Sequence, residues 1–177
     1  MAVAWLIASR HRPHLGWYPG ADPAVASRVQ TRMHRRAARL GMPWPRALGT
    51  SPWALARLLS AATGTPYRIH RWNRETFGLV RRAVQAGREV ALYTGGGTVK
   101  GAKWDHLPRH VVAVLPAPSS QMEVAEPSSG KTYPMSWQQL WEASVAGRAH
   151  PAFGNWGRVI LAVVPNLEAS ETLKEEK

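Results

Sequence analysis

The sequence predicts an α+β fold built on an antiparallel sheet. Helical patterns fill the first half of the chain and strand patterns the second. The two do not alternate regularly, as a parallel sheet with crossover helices requires. No internal repeat and no linker divides the 177 residues. Residues 1–165 therefore read as a single domain, followed by a polar tail, 166–177, that is expected to fray.

Each element has a local reason. Residues 2–9 are almost continuously apolar and read as a short buried helix, ended by Arg10-His11-Arg12-Pro13. Asp22 can cap a second helix with Pro23 at its first position. Val25, Val29, Met33, Ala37 and Leu40 give that helix one apolar stripe, and Gly41 stops it. Met42-Pro43-Trp44-Pro45 is a rigid loop. Thr50 or Ser51 caps a third helix whose face is Leu55, Leu58, Leu59 and Ala62, closed by Gly64. Tyr67–Trp72 reads as a short strand. Asn73 starts a fourth helix with Phe77, Val80 and Val84 inward and Gly87 at its end.

Strand signals follow. Glu89–Tyr93 is a strand before the glycines 95–97, and His110–Leu115 is a continuous apolar strand covered on both faces. Met122–Glu126 is another, closed by the turn Pro127-Ser128-Ser129-Gly130. Ser136 and Gln139 have capping-box spacing and begin a helix that should bury Trp137, Leu140 and Trp141. Arg158–Val164 is a last buried strand, stopped by Pro165.

Composition narrows the function classes. There is no cysteine, which excludes disulfides, thiolate metal sites and a thiol nucleophile within this chain. No apolar run reaches the roughly 18 to 20 residues of a membrane span. The apolar opening lacks the preceding basic residues of a secretory signal, so the cytoplasm is the default expectation. Arginine outnumbers lysine 18 to 5 and alanine is abundant, a codon bias that hints at a GC-rich bacterial genome. The net charge is +12, but residues 1–110 hold 18 Lys/Arg against 4 Asp/Glu, while 111–177 hold 5 against 7. The basic part reads either as solvated arginine faces or as a surface for nucleic acid, an acidic partner or a membrane surface.

Several motifs fail on inspection. Gly130-Lys131-Thr132 lacks the earlier glycine of a phosphate loop, since position 125 is Ala125, and Tyr133-Pro134 follows where a helix is needed. The glycines 95–97 miss the dinucleotide spacing at Lys100. His106 and His110 are four apart, but Pro108 and the strand pattern argue against a helical metal face. No cofactor and no metal is therefore expected. The nine tryptophans read first as core and rim residues; aromatics among arginines also suit stacking on nucleic-acid bases.

One pair carries more. His110 opens a buried strand and Glu126 closes the next. If those strands are antiparallel neighbours, the two side chains meet at one end of the sheet, where a carboxylate fixes the imidazole tautomer and favours its protonated form. That is the base-and-orienter half of a nucleophilic triad.

The stretch from Glu89 onward resembles the bacteriocin-leader-processing, peptidase-like branch of the papain-like cysteine peptidases. The residues that carry the resemblance are Gly87–Leu92, His110-Val111-Val112-Ala113-Val114, Val124–Gly130 and Met135–Trp141, with Leu48–Pro52 upstream. It spans roughly residues 45–165 and implies a papain-like fold, N-terminal helices packed on a C-terminal antiparallel sheet. It implies His110 as catalytic histidine and places Glu126 where the family usually has Asp. The family's cysteine and oxyanion glutamine belong at the start of the first helix, here 2–9, and neither is present. Either they lie upstream of Met1, giving a cysteine peptidase or amidohydrolase, or this is a degenerate member that binds a peptide or protein segment without cutting it. Ser9 and Ser27 are replacement nucleophiles in principle, though neither sits at a helix start. The alternative class is a basic module for nucleic acid or an acidic surface.

Overall fold

A computed structural model describes residues 2–11, 24, 28, 31, 50–96, 106–118 and 121–167. The chain is α+β and divides into two compact units, Met1–Ile69 with Pro165–Lys177, and His70–Val164.

In the first unit, α1 (Ala2–His11) buries every residue from Val3 to Ser9 and runs through Arg10 and His11, two residues beyond the expected end. It packs against α2 (Pro52–Thr63). Ser51 caps α2 by accepting from the Ala54 N–H at 3.2 Å, and Gly64 closes it in the left-handed region. Ala54, Leu55, Ala56 and Leu59 are buried, while Leu58 and Ala62 are only half-buried. Of the helix expected after Asp22, Ala24, Arg28 and Thr31 are helical and exposed. Its apolar stripe, Ser27, the loop 42–45, Gly97 and the tail 168–177 lie outside the described residues.

The strands are β1 (Tyr67–Arg71), β2 (Val90–Gly95), β3 (His110–Pro116), β4 (Met122–Glu126), β5 (Lys131–Met135) and β6 (Arg158–Pro165). They form a six-stranded sheet in the order β1-β6-β2-β3-β4-β5. The pairings β6–β2, β2–β3, β3–β4 and β4–β5 are all antiparallel. β1 crosses the boundary of the two units. The β5 strand was not evident in the sequence: it is an edge strand with Lys131, Thr132 and Pro134 exposed and only Met135 buried.

In the second unit, α3 (Arg74–Gln85) and α4 (Trp137–Val145) join the sheet around one core. Val80, Ala83, Val84 and Leu140 pack with Leu92, Val112, Val114, Met122 and Val124. Ala152 and Phe153, from a 3₁₀ turn at Pro151–Phe153, complete it. Burying a side chain such as Leu140 fully contributes about 1.5–3 kcal/mol. Asn73 caps α3 through Thr76, and Ser136 with Gln139 forms the expected capping box on α4.

Three residues expected in this core, Phe77, Trp137 and Trp141, are not fully buried. Trp137 and Trp141 are half-buried, and of the three anticipated residues on α4 only Leu140 is at 0% exposure. The reason is an aromatic cluster at the edge of the core. Trp141 stacks on Trp72 at 6.3 Å, Phe77 meets both Trp137 and Trp141 edge-on, and the Arg74 guanidinium lies 4.2 Å over Trp141. Trp72 donates its indole N–H to Ser144 Oγ at 2.9 Å and Trp141 offers a ring face to Arg74, contacts that suit amphipathic rings at the edge of a core.

Candidate functional site

The sheet register brings His110 and Glu126 together. β3 and β4 pair Ala113 with Ala125 and Val114 with Val124, so the next step sets Glu126 opposite Val112. His110 is two residues before Val112 and hence on the same face. The pair is a diagonal neighbour across two strands, within reach of long side chains. His110 Nε2 lies 2.7 Å from Glu126 Oε1. The His110 side chain keeps 18% of its surface exposed and Glu126 only 4%.

The turn after β4 explains why a carboxylate is held there. Ser128 N–H donates to Glu126 Oε1 at 2.8 Å and Ser129 N–H to Oε2 at 2.7 Å. Burial alone pushes this carboxyl up. Hydrogen bonds from the Ser129 side chain, the Ser128 and Ser129 backbone and His110 outweigh it and hold the group at about 2, below its usual 4.5. Glu126 is therefore ionised at neutral pH and acts only as an acceptor. The neutral imidazole must then carry its proton on Nε2, leaving Nδ1 as a lone-pair acceptor. No hydrogen bond to Nδ1 is made among the described residues.

On its other side β3 faces β2, where Thr94 pairs with His110. Thr94 Oγ1 donates 3.0 Å to the Phe153 carbonyl. One register step away β6 carries a bulge: Tyr93 pairs with Leu161 but Thr94 with Val159, so Ile160 is the extra residue. Bulges bend a strand and re-aim its neighbours. Gly95 ends β2 beneath the Leu107 carbonyl, which a Cβ would approach to 2.2 Å, so only glycine fits.

The other expected residues fall elsewhere. Ser9 is buried in α1, and its hydroxyl donates to the Leu6 carbonyl at 2.9 Å, the ordinary back-bond of a helical serine. Lys131 and Thr132 lie in β5 after a left-handed Gly130, so the Gly-Lys-Thr run is a hairpin turn and not a phosphate loop. A groove of about 340 Å³ is lined by Tyr133, Pro134, Met135, Gln139, Glu142, Ala143 and His150, and does not include His110 or Glu126. Ser128, Ser129, Thr94 and Gly154 belong to the surroundings of the pair but were not singled out as site residues. For the two serines the turn composition was the available signal; for Thr94 and Gly154 there was none.

Fold and site together define an α+β protein with a partly buried, pre-oriented histidine–carboxylate pair at one end of an antiparallel sheet. No protein-family model matches the chain, and no curated protein matches it. No described helix is long and apolar enough to cross a membrane.

Proposed function

We propose that this chain is a papain-like, peptide-binding domain. Its His110–Glu126 pair would be the base-and-orienter half of a thiol acyl-transfer site, without hydrolytic turnover because the chain holds no cysteine. One observation carries the reading: the 2.7 Å bond between Nε2 and a carboxylate already held by two backbone N–H groups. The carboxylate orients the ring, and Nδ1, without a partner among the described residues, is the nitrogen a base uses to meet an incoming proton donor. With no cysteine in the chain to attack, that nitrogen accepts a hydrogen bond from a bound peptide and the reaction goes no further.

The test is incubation of this chain with a library of extended peptides, followed by mass spectrometry for cleavage and fluorescence anisotropy for binding. Expected are intact peptides and a bound subset whose affinity drops in His110→Ala. Cleavage by this chain, or binding indifferent to His110, would overturn the reading.

A second reading rests on a different observation. Arg57, Arg68, Arg71, Arg74, Arg81 and Arg82 are all exposed, as is Arg28. A nucleic-acid or acidic-surface module using these residues predicts affinity for single-stranded oligonucleotides that falls steeply with salt. Absent or salt-insensitive binding removes it.

A further inference from the structure

We propose that the turn from His150 to Gly154 is a positioning element for His110, and that Gly154 is the residue on which its tautomer depends. The turn is tightly determined. The His150 side chain accepts from the Ala152 N–H through Nδ1 at 3.2 Å, and the His150 carbonyl accepts from Phe153 at 2.9 Å and Asn155 at 3.0 Å. Ala152 and Phe153 are fully buried. The Thr94 hydroxyl, on the residue paired with His110, latches the Phe153 carbonyl.

This places the Gly154 backbone against the imidazole. A Cβ there would lie 2.4 Å from His110 Cδ2, 2.7 Å from Nε2 and 3.1 Å from Cγ. Those atoms are the edge that makes the bond to Glu126. Glycine is required twice at this position, by its φ of +65° and by the missing room. The turn therefore covers one edge of the ring and keeps it against the carboxylate. The opposite edge, with Nδ1, is the one without a hydrogen bond among the described residues.

The consequence is a statement about ligand chemistry. A ring fixed as Nε2–H offers an acceptor at Nδ1, so the ligand must bring a donor there, a peptide N–H or a hydroxyl and not a carboxylate. That choice of ligand rests on the proposed function, whereas the fixed tautomer rests on the bond to Glu126 and on the contact with Gly154.

The experiment is nitrogen-15 NMR of the histidine ring nitrogens in wild type, Gly154→Ala, Gly87→Ala and Thr94→Val. Gly87 is the control, with φ +75° and nothing within 4 Å of its absent Cβ, so alanine there adds backbone strain without touching a histidine. In spectra of the neutral ring, wild type and Gly87→Ala should both carry the His110 proton on Nε2. Gly154→Ala should show a mixture of tautomers, with the Glu126 carboxyl titrating nearer the usual carboxylate range. Thr94→Val should move both signals in the same direction by less. Unchanged His110 nitrogens in Gly154→Ala, or the same change in Gly87→Ala, would overturn the inference. Should Gly154→Ala not fold, an unchanged tautomer in Thr94→Val overturns it alone. These spectra need no ligand, so a failed peptide assay and a failed positioning element are told apart.

Discussion

Replacing Glu126 by glutamine keeps the shape and removes the charge, which makes it the sharpest probe of the pair. The carboxylate accepts from His110, Ser128 and Ser129 at once. A single amide oxygen cannot serve donors on both sides, and the amide NH₂ is left facing one of them. Losing one charge-assisted bond and opposing one buried donor comes to about 3 kcal/mol. At roughly 2–4 °C per kcal/mol for a chain of this size, Glu126→Gln should lower the Tm by about 6–12 °C at neutral pH. The pH dependence gives an independent figure. A drop from 4.5 to about 2 corresponds to about 3 kcal/mol, reduced to about 2 by solvent screening. Because the folded-state value is depressed, this stability is present above pH 4.5 and is lost as the pH falls through about 2. Urea unfolding of both proteins from pH 7 to pH 2 reads the difference. It should shrink in that acid window. A neutral-pH difference below about 0.5 kcal/mol, the scatter of ordinary surface changes, would refute the reasoning, as would parallel acid curves.

Two predictions test the frame that holds the site. Ser136→Ala removes half of the capping box on α4, where Ser136 Oγ accepts from Gln139 N and Gln139 Oε1 accepts from Ser136 N. It should lower stability by about 1 kcal/mol in urea melts without altering the His110 signals. Tyr93 is fully buried beside the bulge, and burial pushes its phenol well above 10. The unfolded chain gives up that proton first, so this contribution is intact below pH 10 and lost above it. Its phenolate absorbance should appear only together with unfolding.

Much of the frame was legible because its signals are local. Ser51, Asn73 and Ser136 each accept from a backbone N–H three residues on, and such caps are written in the sequence itself. The continuous apolar run at β3 was likewise enough to show a strand covered on both faces. What was not legible depends on partners. Lys131–Met135 has little apolar character and a proline; it is a strand because β4 lies beside it. The extra residue at Ile160 is a property of two strands, not one. Trp137 and Trp141 read as core residues of their helix; Trp137 does pack against the core, but both rings stay half-buried in a cluster with Phe77, and Arg74 lies over Trp141. His110 and Glu126 were found because both stand at strand ends separated by one short connection. The depth of the carboxylate's well was hidden, since two of its donors are the Ser128 and Ser129 backbone N–H groups, which depend on the turn's conformation.

A partly buried histidine–carboxylate pair has two possible reasons to exist, and they separate chemically. If the imidazole only satisfies Glu126, a side chain that donates from the position of Nε2 replaces it. If the ring also presents an acceptor, that replacement fails in function alone. Glutamine makes the distinction, because its amide nitrogen reaches about as far as Nε2, while its one acceptor, Oε1, branches from the same carbon and does not stand at the place of Nδ1 on the ring's far edge. His110→Gln should therefore stay within about 1 kcal/mol of wild type in stability, the size of one net hydrogen bond. It should also lose about tenfold in peptide affinity, the equivalent of about 1.4 kcal/mol for the missing acceptor. Paired urea melts and anisotropy titrations read both quantities on one preparation. A variant that binds as well as wild type while unfolding more easily would make the imidazole a structural donor and nothing more.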